Sequence, residues 1–298
     1  MFDVNAPLHR ESSPRLMPLN GVQIREDVIY TNHKGEEKKA IRKRAEKILE
    51  QLGEPVRQVL DPGEAILFVA EARRQASTLE QMTMGWAAAQ AVTMTRLIFT
   101  NRRLLHFRVK RDGRWMRCWR SLSWGDVQTA KVTGWLDGHL ELKYRNNTKE
   151  KYWGVSGGDR RKIKVLLEAL LPVTQADGTP AQAMVSLCPQ CRVQLTSGVY
   201  QCPGCSLVFK DEKSLLRRLA IPGGVFFYTG HPVLGIFDLL TEGYLLLLIV
   251  AIVIVAVATP DDPDASLGAA AFFLLVLVFE KMVTLHHGRT FVKEFLPA

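Results

Sequence analysis

Four of the five cysteines form two pairs, Cys188-Pro-Gln-Cys191 and Cys202-Pro-Gly-Cys205, with ten residues between them. Each Cys-x-x-Cys places two sulfurs on one tight turn. Two such turns facing each other supply four thiolates, the ligand set that a tetrahedral zinc ion favours. Four sulfurs close the coordination shell. A bound zinc would therefore be structural, one ion per chain, with no open position for a substrate. So small a unit cannot bury enough apolar area to fold unaided, and the ion would staple it. Two disulfides would need an oxidising compartment. A thioredoxin-like redox pair would need a βαβ context, which the flanking sequence lacks. The intervening stretch Arg192–Gln201 reads as a short β-hairpin turning at Ser197-Gly198.

Each pair carries a proline after its first cysteine, and in this the segment 185–210 resembles a zinc ribbon. Some zinc ribbons bind nucleic acid. Here only Arg192 and Lys210 are basic and only Tyr200 and Phe209 are aromatic. That is too few for phosphate contacts and base stacking, so nucleic acid is not an expected partner. Cys118, alone between Arg117 and Trp119, has no His or acid beside it and reads as a packed thiol. The histidines at 9, 33, 106, 139, 231, 286 and 287 show no metal or catalytic spacing; His286 and His287 are adjacent and point to different faces of a helix. No glycine-rich phosphate loop and no Gly-x-Ser-x-Gly elbow occurs. Catalytic residues and organic cofactors are therefore not expected, and the chain does not read as an enzyme.

The charge distribution sets where the cysteines would work. Residues 1–220 carry 36 basic against 23 acidic residues, whereas residues 221–298 carry 3 against 7 and hold the long apolar runs. From Gly243 to Pro260 there are 18 residues without a charge. Extended back to 239, this run reaches the roughly 20 apolar residues that cross a hydrocarbon core as helix. We expect spans over 239–259 and 265–285, the second shorter and dependent on its flanks. The turn Thr259-Pro-Asp-Asp-Pro-Asp264 is acidic, while Lys210, Lys213, Arg217 and Arg218 precede the pair and Arg289 and Lys293 follow it. The excess of basic residues then puts both flanks in the cytoplasm and the 259–264 loop outside, in a multi-pass protein of the cytoplasmic membrane. The start, Met1-Phe-Asp-Val-Asn5, has neither a basic region nor an apolar core, so no cleavable signal is expected. Residues 211–240 are broken by Pro222-Gly-Gly224 and Gly230-His-Pro232 and read as interfacial, re-entrant or the start of a tilted helix. His231, Asp238 and Glu242 could mark a polar patch at membrane depth. Gly223-Gly-Val-Phe-Phe-Tyr-Thr-Gly230 with Leu234-Gly-Ile236 resembles a small two-span membrane domain of the Phe-Tyr-x-Gly type, without that family's His-Arg before Phe-Tyr. The resemblance implies topology and little else.

The residues before the ribbon must fold as a soluble domain. All six tryptophans lie between 86 and 153. Strands are expected at 65–70, 91–100, 104–110, 115–124, 127–132, 140–144 and 149–155, with a hairpin turn at Asp112-Gly113. After Gly157-Gly158 the apolar period becomes helical through Leu171, and Pro172 lies beyond the end. Asp61-Pro-Gly-Glu64, Thr95-Arg-Leu-Ile-Phe-Thr-Asn-Arg-Arg-Leu-Leu105 and Ser123-Trp-Gly-Asp-Val127 resemble bacterial pleckstrin-homology and GRAM-like domains. That resemblance implies, over 56–172, a β-barrel of about seven strands closed by a helix. Residues 1–35 are expected to be extended or disordered. Residues 36–55 form a basic amphipathic helix that either packs on this domain or lies on a membrane. The stretch 173–184 is a linker and 286–298 a cytoplasmic tail.

The fold class expected is thus multidomain: a pleckstrin-homology-like barrel, a zinc ribbon and a transmembrane helical hairpin. Arg108, Lys110, Arg111, Arg114 and Arg117 cluster at the 108–117 hairpin and could contact anionic lipid, or be a solvated hairpin. Function follows as a membrane-anchored, non-catalytic interaction or scaffold protein. Its partners would be membrane lipids, an unidentified protein, and a second copy through the spans. A nucleic-acid-linked membrane regulator, or a subunit of a transport or envelope-lipid enzyme complex, are the alternatives.

Overall fold

The computed structural model describes residues 15–19, 21–76, 92–134, 138–174, 183–258 and 263–298. Trp86 and Trp135, most of the 173–184 linker and residues 259–262 lie outside them. The chain divides into two compact units, 1–196 with 203–205 and 197–202 with 206–298.

In the first unit the sheet has ten strands rather than seven. The seven expected strands are present as β3 (Ile66–Arg74), β4 (Met94–Thr100), β5 (Arg103–Val109), β6 (Trp115–Ser123), β7 (Val127–Thr133), β8 (Gly138–Tyr144) and β9 (Lys149–Val155). The additional three are β1 (Leu16–Leu19), β2 (Val22–Arg25) and β10 (Val185–Leu187). The order is β10-β6-β5-β4-β3-β9-β8-β7, with β1 on β2 and β2 parallel to β3 through Ile24 and Ile66. Residues 15–35 thus depart from the disordered or merely extended expectation. Val22, Ile24, Val28, Ile29 and Tyr30 are all buried, while Leu16 is exposed. A short segment gains order from the sheet it joins, which no local period reveals.

Strands β4 and β5 are buried along both faces. Leu97, Phe99 and Leu104 belong to one core, with Ile163, Leu166 and Leu170 of α3 (Gly157–Thr174). Ile98, Leu105 and Phe107 belong to a second core with Ile48, Leu49, Leu52 and Val56 of α2 (Lys39–Val59). Two covered faces explain why these strands read as continuous apolar runs rather than alternating ones. The basic amphipathic helix therefore lays its apolar stripe on the sheet; it also runs past the expected end at 55, carrying Pro55 inside. A short helix, α1 (Glu26–Ile29), precedes it.

Two of the three motifs that carry the family resemblance form one knot. Glu64, its side chain wholly buried, accepts from Arg103 Nε at 3.0 Å and from an Arg103 terminal nitrogen at 2.8 Å. Thr100 Oγ1 donates to the same carboxylate at 2.7 Å, and Asn101 Oδ1 accepts from Ala65 N–H at 2.9 Å. Thr-Asn-x-Arg and Asp-Pro-Gly-Glu are thus two halves of a buried ion pair that pins the β4–β5 turn against the start of β3.

The second unit is helical: α4 (Glu212–Leu219), α5 (Gly224–Thr229), α6 (Pro232–Ala258) and α7 (Pro263–Val292). Asp211 caps α4 by accepting from Ser214 N–H at 2.8 Å. Gly223 and Gly230 flank α5 at φ +70° and +85°. A β-carbon on Gly223 would stand 2.2 Å from the Gly235 carbonyl, so α5 packs on α6 only through glycine. The segment 211–240 is therefore two short helices and the start of α6. The first apolar helix begins at 232 rather than 239, and the second runs to 292 rather than 285. Thr241-Glu-Gly243 sits inside α6, glycine being common in membrane-type helices. Both helices are long and apolar enough to cross a membrane. Their outer faces leave Leu247, Val257 and Leu275 at least 69% exposed, a broad apolar surface of the kind that marks an interaction or membrane face.

Candidate functional site

The four cysteines come together. One sulfur from each of Cys188, Cys191, Cys202 and Cys205 lies within 4.8 Å of the others, and no disulfide joins any of the five cysteines. Cys188 Sγ and Cys205 Sγ are 3.5 Å apart. Zinc–sulfur bonds of about 2.3 Å in a tetrahedron require sulfur–sulfur edges of roughly 3.8 Å, so the donor set fits the ion. Cys188 and Cys202 are buried, while Cys191 and Cys205 are half-buried.

The two knuckles have the same construction. Cys188 N–H donates to Val193 O at 2.9 Å and Arg192 N–H returns to Cys188 O at 3.0 Å. Cys202 N–H donates to Leu207 O at 2.8 Å and Ser206 N–H returns to Cys202 O at 2.9 Å. Arg192 and Ser206, at matching positions, are left-handed at φ +64° and +61°, a conformation costly for non-glycine residues. Pairing runs across each knuckle, Leu187 with Gln194 and Gln201 with Val208, rather than between them. The expected hairpin over 192–201 is thus replaced by two hairpins, one around each cysteine pair. A β-carbon on Gly204 would fall 3.1 Å from Cys191 Sγ, so this knuckle position must stay bare for the sulfurs to approach.

The basic hairpin separates into two parts. Lys110, Arg111, Arg114 and Arg117 are exposed. Arg108 is not with them: it is 2% exposed and donates inward to the Val92 and Met94 carbonyls. Alternation along β5 puts it on the face opposite Phe107, a consequence visible in the strand period. Arg114 is engaged by Asp112, whose carboxyl its N–H and guanidinium hold below the usual range. Cys118 is buried in β6, as a packed thiol would be.

His106 also points into the first core, 5.6 Å from the Tyr152 ring. Neither ring nitrogen has a hydrogen-bond partner among the described residues. Burial, then Arg120, Arg108 and Arg74, pushes the imidazole well below its ordinary range, so it stays neutral. Glu150 accepts from Tyr144 and Tyr152 at 2.8 and 2.7 Å and pairs with Arg120. This network satisfies buried groups.

In the second unit Asp238 and Glu242 share a face of α6, as their four-residue spacing requires, and meet Glu280 of α7; one oxygen of each lies within 4.8 Å of the others. Lys281 Nζ stands in this group, 2.7 Å from Glu242 Oε1, and donates to the Leu219 carbonyl at 2.7 Å. Thr284 Oγ1 donates to Glu280 at 2.7 Å. The His231 ring instead lies tilted against Phe291, with centroids 4.3 Å apart. Glu280 and Thr284 stand four residues apart, and that matching step on α7 is the signal the sequence offers.

No protein-family model matches the sequence, and no curated protein is detectably similar to it.

Proposed function

We propose that the chain is a membrane-anchored, non-catalytic interaction protein. Helices α6 and α7 cross the cytoplasmic membrane with the 259–264 loop outside, and the pleckstrin-homology-like sheet and a structural zinc ribbon work in the cytoplasm. The observation that carries this reading is the convergence of four sulfurs on one point in a chain with two membrane-length helices. Thiolates persist where the compartment is reducing, and a full sulfur shell leaves no position for catalysis.

What the sheet recognises is read from its surfaces. The exposed Lys110, Arg111, Arg114 and Arg117 suit anionic head groups. A second feature favours a protein. Strand β7 ends the strand order, so one edge is unpaired among the described strands. Beside it, Ala130, Val132, Leu167 and Leu171 line an open groove of about 490 Å³ against α3. An extended peptide could add to such an edge and seat side chains in the groove. Photo-crosslinking residues at positions 131 and 114, in the full chain in its membrane, separate the two. A protein adduct from 131 supports a peptide partner and a lipid adduct from 114 supports head-group contact. Adducts from neither position would contradict the interaction role.

A further inference from the structure

Beyond Val292 the chain does not leave the molecule. Phe295 turns it at φ +56°. Residues 296–298 then run antiparallel to 208–210. Lys210 N–H donates to Leu296 O at 2.9 Å, Phe209 pairs with Pro297, and Ala298 N–H donates to Val208 O at 3.0 Å. The other edge of 208–209 is held by the second knuckle: Phe209 N–H donates to Tyr200 O at 2.8 Å, and Val208 pairs with Gln201. The adjoining residue, Leu207, receives the Cys202 N–H. Residues 200–202, 207–210 and 296–298 are therefore three short strands with the cysteine turn at one end. Phe209 is fully buried and meets Phe295 edge to face at 5.8 Å. Leu296 is buried, as are Phe291 and Val292 at the end of α7.

We infer that the segment 293–298 is a positioning element of the metal centre, and that its docking and the knuckle's hold on the metal are thermodynamically coupled. The inference rests on the reading of the four cysteines as a zinc site. Two sources of order link the middle strand of this small ladder to the metal and to the segment. One is the tether of Cys202 and Cys205 through the ion, the other is the pairing with 296–298 and the Phe209–Phe295 contact. Removing the ion frees the turn that holds Leu207, and the ladder that docks the segment loses an edge. Removing the segment leaves Phe209 uncovered and the strand half-paired, and the cysteine turn is held less well. A coupling of this kind is reciprocal. The metal would then act as a latch that keeps the end of α7 tied to the ribbon.

The test uses the full chain in lipid nanodiscs, loaded with zinc, and a chromophoric chelator. Phe295→Ala should release zinc about tenfold faster than wild type, the scale of one aromatic contact. Phe295→Leu, which keeps an apolar plug, should fall between them. Chelation of the wild-type chain should raise hydrogen exchange at the Lys210 and Ala298 amides by at least about tenfold, on the same scale. Equal release rates in zinc-loaded wild type and Phe295→Ala, or amide exchange that ignores chelation, would overturn the coupling while leaving the zinc reading intact. A wild-type chain that retains no zinc would overturn both. The exchange arm needs no variant, so a poorly folding Phe295→Ala does not shield the inference.

Discussion

Lys281 Nζ lies 2.7 Å from Glu242 Oε1, and the Glu242 side chain is wholly buried between α6 and α7, beside Asp238 and Glu280. The lysine also donates to the last carbonyl of α4 at Leu219. One ammonium group thus balances a carboxylate that the apolar setting could not hold alone and fastens α4 to α7. A buried pair is worth little against a well-packed apolar pair, but breaking it from one side is costly.

Lys281→Met should therefore destabilise the helical unit by about 3–5 kcal/mol, whereas Lys281→Met with Glu242→Leu should recover most of that loss. Denaturant unfolding in micelles gives both values. A single variant as stable as wild type would show that the pair does not hold the helices together.

Arg103 makes a two-pronged contact with the buried Glu64 and a further bond to Val59 O at 2.9 Å. Arg103→Met leaves an uncompensated buried carboxylate, with an expected loss of about 3–5 kcal/mol. Arg103→Lys should recover only part of it, since a single ammonium cannot reproduce the planar fork. Chemical denaturation monitored by tryptophan fluorescence measures both. Full recovery by lysine would mean that charge, not geometry, is what the turn requires.

His106 should make the first unit acid-sensitive. In the folded protein its pKa lies well below the ordinary 6.5, chiefly through burial. Below that value the unfolded chain gains a proton that the folded one refuses. Stability is therefore present above pH 6.5 and falls as pH drops, by at most about 1.4 kcal/mol per pH unit. His106→Leu should flatten this slope between pH 6.5 and 5 in denaturation curves. Identical slopes in the two proteins would show that the imidazole is not held neutral.

How far the sequence reveals this molecule depends on how local each signal is. The cysteine quartet was legible because ligand spacing is a short-range constraint, and the seven central strands because turn residues such as Asp112-Gly113 punctuate them. Strands β1, β2 and β10 were not. Each is three or four residues long; β2 and β10 owe their order to strands distant in sequence, and β1 to β2. Arg108 read as part of a basic cluster by proximity, yet strand alternation turns it inward. The carboxylate group was half visible: Asp238 and Glu242 share a helix face, but their approach to Glu280 and Lys281 depends on how two helices pack. The start of α6 at Pro232 was masked by the glycines around it, which serve close packing with α5 rather than a break.

The central claim is that α6 and α7 hold the four-thiolate centre on the cytoplasmic side of a membrane. The most direct test is labelling of intact cells with a membrane-impermeant maleimide, comparing Asp262→Cys with Lys293→Cys. Labelling of position 262 alone, with position 293 and the native cysteines reached only after permeabilisation, is the predicted result. Labelling of Cys191 or Cys205 from outside, or a full-length chain that stays in solution without detergent, would contradict it.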